Sequence, residues 1–124
     1  MSKQTARGST TLVVRHMGKS KEDARKILKN DGQCLEVEDV AARLENLDRP
    51  GEIWDLEIQT SDGIGWVTYS GASLGSMEVE IYFAQVPHRR EVVILGTFLR
   101  DGEPSWVRIE RMKNRLNHCL QTAK

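Results

Sequence analysis

The hydrophobic period of this chain changes at Gly51 and again at Pro104. Before Gly51 apolar residues recur every three or four positions, from Gly51 to Leu99 they alternate or run continuously, and after Pro104 helical spacing returns. A helical stripe cannot be laid into a pleated sheet without exposing apolar side chains, so the chain is confined to helices at both ends and strands between. The expected fold class is α+β, with N-terminal helices, a curved four- to five-stranded antiparallel sheet and a C-terminal helix. The helices of residues 20–47 are expected on one face of the sheet, with the helix that starts near 105 returning beside them.

The 124 residues suit a single domain spanning 1–124, whose first nine positions are polar, small and expected to be flexible. "TTLVVRHM" reads as a short strand. Ser20 is placed to cap a first helix, with Ala24, Ile27 and Leu28 as its apolar stripe and Asp31-Gly32 as its stop. A second helix is read over about 36–47, where Val37, Val40, Ala41, Leu44 and Leu47 recur at helical spacing. "EIWDLEIQT", the turn "SDG" and "IGWVTYS" make a hairpin; "MEVEIYFAQV" alternates, "PHRR" turns, and "EVVILGTFL", apolar on both faces, reads as the central strand. Trp54, Trp66 and Trp106 are read as core.

Net charge is zero but segregated. Residues 1–50 hold ten Lys/Arg against eight Asp/Glu, 51–87 none against six, and 88–124 eight against four, giving +2, −6 and +4. Such a chain can turn a basic face to a polyanion or pair its own charges internally. Cys34 and Cys119 have no metal-ligand spacing and are read as small residues packed inside a protein of a reducing compartment; no metal and no cofactor are expected. No run approaches the ~18 apolar residues of a membrane helix, and the start lacks a signal-peptide core, so a cytoplasmic protein without membrane contact is expected.

The order of elements, with "GEIWDLEI", "EIYFAQ", "EVVILGTFLR", Pro104 and "IERMKNRL" in sequence, resembles the RelE/HigB toxin superfamily, in particular its phage-derived HigB-type branch. The likeness runs over about residues 51–116 and reaches the N-terminal helices by pattern alone. It implies a small cytoplasmic toxin of a toxin–antitoxin pair: a ribosome-dependent mRNA endoribonuclease whose partners are the ribosome, mRNA and a cognate antitoxin protein. Where that family carries arginines, this chain has Glu57 in "WDLE" and the run Glu78-Val79-Glu80. The alternative is therefore a RelE-fold protein-binding module without catalysis, its acids Glu52, Asp55, Glu57, Glu78 and Glu80 meeting a basic partner.

Metal-independent RNA cleavage needs a base for the 2′-hydroxyl, an acid for the leaving oxygen and cations for the developing charge. His88, between Pro87 and the pair Arg89-Arg90, suits the proton transfers, and Arg100, at the end of the apolar strand, offers a phosphate-matching fork. Arg100, His88, Arg89 and Arg90 are the candidate catalytic residues. On the closing helix Trp106, Ile109, Met112, Leu116 and Cys119 or Leu120 make an apolar face, and Arg108, Arg111, Arg115 and His118 make a basic one. Together with Lys113, these basic residues are the candidate RNA-binding set.

Overall fold

In the computed structural model, which describes residues 11–122, β1 (Val13–His16) leads into α1 (Gly18–Ile27) and α2 (Asp31–Ala42). Turns of 3-10 helix at Arg43–Asn46 and Pro50–Glu52 lead to β2 (Glu57–Ser61) and β3 (Ile64–Tyr69). Then follow β4 (Val79–Val86), β5 (Glu91–Leu99) and α3 (Ser105–Thr122). All five strands share one sheet, in the order β1-β5-β4-β3-β2. The expectation of a flexible segment at 1–9 lies outside the described residues.

The fold is α+β, but the sheet is mixed rather than antiparallel throughout. β2 to β5 pair antiparallel in chain order, while β1 lies parallel to β5, with Val13 opposite Glu91 and His16 opposite Ile94. Connections without an α-helix hold the later strands to antiparallel pairing; two α-helices follow β1 and impose no such direction. β5 is interior, between β1 and β4, as its apolar faces require.

Those two faces also decide where the helices go. Leu28, just after α1, and Val37 and Val40 of α2 pack with Val67, Ile81 and Ile94 on one side of the sheet. Ile109, Met112 and Cys119 of α3 pack with Trp66, Tyr82 and Val93 on the other. The expectation that α3 returns beside the N-terminal helices is therefore corrected: a strand apolar on both faces needs a cover on each.

Element boundaries shift for local reasons. α1 starts at Gly18, and Ser20 is no cap: its side chain is buried, with its hydroxyl 3.4 Å from that of Thr97. Asp31-Gly32 opens α2 instead of stopping α1, because the Asn30 side chain accepts the Gln33 amide at 2.9 Å and caps the helix there. Asp62 and Gly63, with φ of 55° and 82°, give the β2–β3 hairpin the paired left-handed residues of a type I′ turn. Trp66 is buried, but Trp54 and Trp106 are 83% and 69% exposed. Trp54 precedes the first ladder residue, Glu57, so the alternation read there has no pleat to act on.

One irregularity positions the α3 face. Gly96 lies opposite Tyr82 and Ile94 opposite Phe83, which leaves Leu95 as the extra residue of a β-bulge. Leu95 and Gly96 both turn toward α3; a Cβ on Gly96 would stand 2.7 Å from the Phe98 ring and 2.9 Å from Met112 Sδ and Arg115 Nη1. Gly96→Ala is expected to cost about 1–3 kcal/mol in urea unfolding, the usual scale of overpacking. Gly51→Ala, where a Cβ meets nothing within 4 Å, is the control expected to stay within about 0.5 kcal/mol.

Candidate functional site

The β4–β5 hairpin carries the candidate catalytic residues but holds them apart. His88, Arg89 and Arg90 occupy its turn, where Val86 faces Glu91. Arg100 follows Leu99 at the opposite end, its amide bonded to the Glu78 carbonyl at 2.9 Å. At about 3.3 Å per residue, the two ends are separated by roughly 30 Å, several times the reach of an arginine. Arg100 itself is exposed, with Nη1 3.5 Å from Glu78 Oε1, a surface pair that gives way readily.

Two arginines of the basic face of α3, Arg108 and Arg115, are directed inward. Arg108 is 3% exposed. Its Nη1, Nη2 and Nε each lie 2.8 Å from a carboxylate oxygen, of Glu80, Asp101 and Glu103 respectively, and its guanidinium stands 5.1 Å over the Phe98 ring. Arg111 reaches Glu103 at 3.3 Å, and Arg115 donates to Asp23 at 2.6 Å and to the carbonyl of the bulged Leu95 at 2.7 Å. Both guanidiniums lie 5.7 Å from the same Phe98 ring. Lys113 pairs with Glu110 and Asp62 at 2.8 and 3.7 Å, and His118 is exposed and also engaged. Arg108, Arg111 and Arg115, which the sequence offers for RNA, are each ion-paired within the chain: Glu80 points inward from β4, and a buried carboxylate draws cations to it.

An aromatic row completes this layer. The Tyr82 ring stacks on Trp66 at 5.6 Å and meets Phe98 edge-on at 5.9 Å, while its hydroxyl donates to Glu80 at 2.8 Å. Burial, and then that bond, push the Tyr82 hydroxyl well above the ordinary tyrosine range, which makes it a fixed donor and no proton carrier. Across the sheet, the bond to Glu36 raises the Tyr69 hydroxyl to about 12.

A second feature leaves no mark in the sequence pattern. Between α1, α2 and the sheet lies a cavity of about 430 Å³, where His16, Lys21 and Glu38 meet the apolar Ile81 and Ile94. Burial, reinforced by Lys21, holds the His16 pKa below its ordinary value. No single stretch of sequence announces this cavity, because its lining comes from β1, both helices and two strands. Cys34 borders it partly exposed, whereas Cys119 is buried. Among the described residues no cluster of His, Cys, Asp and Glu could hold a metal ion, and no helix is long and apolar enough to cross a membrane.

Comparison with protein-family models, with curated proteins and with solved structures finds no match for this chain.

The Arg108 cluster has a stability and a pH signature. Asp101 is held below the usual carboxylate range by the Glu103 amide and by Arg108, and Glu103 by its bond from Arg108. A depressed carboxylate contributes stability that is present above its unfolded pKa, about 4, and is lost as pH falls through the lower folded value. Arg108→Ala leaves Glu80 buried without its cation and is expected to cost about 3–5 kcal/mol at neutral pH by chemical denaturation. The gap to the parent protein is expected to narrow as pH falls below about 4.

Proposed function

We propose that the protein is a binding module of the RelE/HigB type that does not itself cut RNA. The observation that carries this reading is the separation of Arg100 from His88, Arg89 and Arg90 by the whole length of β5. A base and a charge-stabilising cation at opposite ends of a hairpin cannot act on one phosphodiester. Internal neutralisation of the α3 arginines removes the track that would hold the message.

The partner in this reading is a protein, and the acids of the middle segment are not its main contact. Glu80 is buried; Asp55 is held by Arg43 at 2.6 Å, Glu52 lies 3.9 Å from Arg49, and Glu78 faces Arg100. Exposed Trp54 and exposed Trp106 each offer instead an aromatic side chain of the kind that protein interfaces bury.

The other reading, a ribosome-dependent endoribonuclease toxin restrained by an antitoxin, is favoured by one observation, the exposure of Arg100 beside a loosely held Glu78. Induced expression with growth recorded, and mRNA cleavage followed by primer extension in ribosome-containing extract, separates the two. The binding-module reading predicts neither arrest nor cleavage by folded, partner-free protein. Cleavage that drops about ten- to a hundredfold in Arg100→Ala, the scale of a lost charge-assisted hydrogen bond, would overturn it.

A further inference from the structure

The sheet ends in two edges of different character. β1 is short and partly covered, since the Leu12 amide just before it bonds the Glu45 carbonyl at 2.8 Å. β2 is open. The turn Asp62-Gly63 closes on Ser61 and Ile64, which makes theirs a hydrogen-bonded pair, and the alternation of an antiparallel ladder gives the same standing to Gln59 and Glu57. The amides and carbonyls of Ile58 and Thr60 therefore point away from β3, and among the described residues nothing bonds them. The devices that usually blunt such an edge are missing: "EIQTS" holds no proline and no lysine, and its register with β3 runs without a bulge.

We propose that β2 pairs with β2 of a second copy of this chain, antiparallel about a two-fold axis through Gln59, so that the two sheets become one. An isologous contact runs the strand against its own reverse, and only the register is left to choose. Centred on Gln59, the pairing sets Ile58 opposite the partner's Thr60 and Thr60 opposite the partner's Ile58, and every outward amide and carbonyl of one edge finds its complement on the other. Centred on Ile58 it would need Leu56, whose amide is already bonded to the Ile53 carbonyl at 3.0 Å; centred on Thr60 it would need Asp62, which is left-handed in the turn. The side chains agree with the first register. Ile58 and Thr60, both β-branched, meet on the face of α1 and α2, where Ile58 already packs against the core. On the α3 face Glu57 comes opposite the partner's Ser61, beside the turn residue Asp62 to which Lys113 of the same copy reaches at 3.7 Å. The acid of each copy is thus brought to a cation already drawn to the other's hairpin turn. This inference does not rest on the binding-module reading and stands whether or not another protein binds elsewhere.

Pairing of so short a strand buries less than the ~1,200 Å² of a standard interface, so the dimer is of the weak class and is sought between about 0.02 and 1 mM. Sedimentation of the full chain is expected to show the mass rising from one copy toward two over that range. Backbone amide shifts at Ile58 and Thr60 should move in step, while those of Val14 and His16 on β1 stay fixed. Gln59 is exposed, so Gln59→Lys keeps the fold, sets like charges opposite one another on the axis, and should weaken association about fivefold or more at low salt and less at high salt. Asn117→Lys adds the same charge on exposed α3 surface and should change nothing. In a Cys34→Ser background, Gln59→Cys should form disulfide-linked dimers faster than Glu57→Cys, because only position 59 faces itself across the axis. A monomer at every concentration, association whose shifts lie away from β2, an equal effect of Asn117→Lys, or equal linking by the two cysteines would overturn the proposal.

Discussion

A buried guanidinium must be surrounded by counter-charge or it unfolds its host, and Arg108 sets that condition for half of this molecule. Its three carboxylates come from β4, from the turn after β5 and from the approach to α3, so meeting the charge fixes three segments at once. The demand explains why Glu80 occupies an inward position on β4 and why Tyr82 directs its hydroxyl along the sheet rather than to solvent. It also explains the rotation of α3, which buries Arg108 and exposes Trp106. Beneath the cluster Phe98 receives three guanidiniums on one ring, an arrangement tolerable only because Glu80, Glu103 and Asp23 offset their mutual repulsion.

The same accounting changes the meaning of the charge segregation along the chain. The basic ends and the acidic middle are largely partners of one another: Arg43 with Asp55, Arg100 with Glu78, Arg108 with Glu80 and Lys113 with Asp62 each join a flank to the middle segment. Among the described residues, cations left without ion pairs lie mainly on α1, where Lys19, Lys21, Arg25 and Lys26 are exposed.

Much of the architecture is legible in the order of residues alone. The changes of period at Gly51 and Pro104, the Asp62-Gly63 turn and the doubly apolar β5 follow from spacing and turn chemistry that act locally. The direction of β1, the side of the sheet taken by α3 and the fate of its arginines depend on which residues meet across the fold, and periodicity carries no such information. The opening of α2 at Asp31 is hidden by Asp-Gly chemistry that serves equally as a stop, and Asn30 decides between them. One clue to the buried cluster does lie in the sequence: Glu80 and Tyr82, two positions apart on a strand, share a face, so burial of the tyrosine commits the acid to a buried partner. The candidate cleavage site comes apart for a related reason. Residues 88–90 and Arg100 are near in sequence, but an extended strand places them at its two ends.

Hydrogen exchange at arginine side chains, read by NMR at each Nε–H, tests most directly whether the α3 arginines belong to the interior. The Arg108 Nε–H, bonded to Glu103 at 2.8 Å inside the cluster, is expected to exchange far more slowly than those of exposed Arg100 and Arg25. Exchange of Arg108 at the rate of Arg100 and Arg25 would contradict the account, because it would mean that the guanidinium faces water and remains free to meet a ligand.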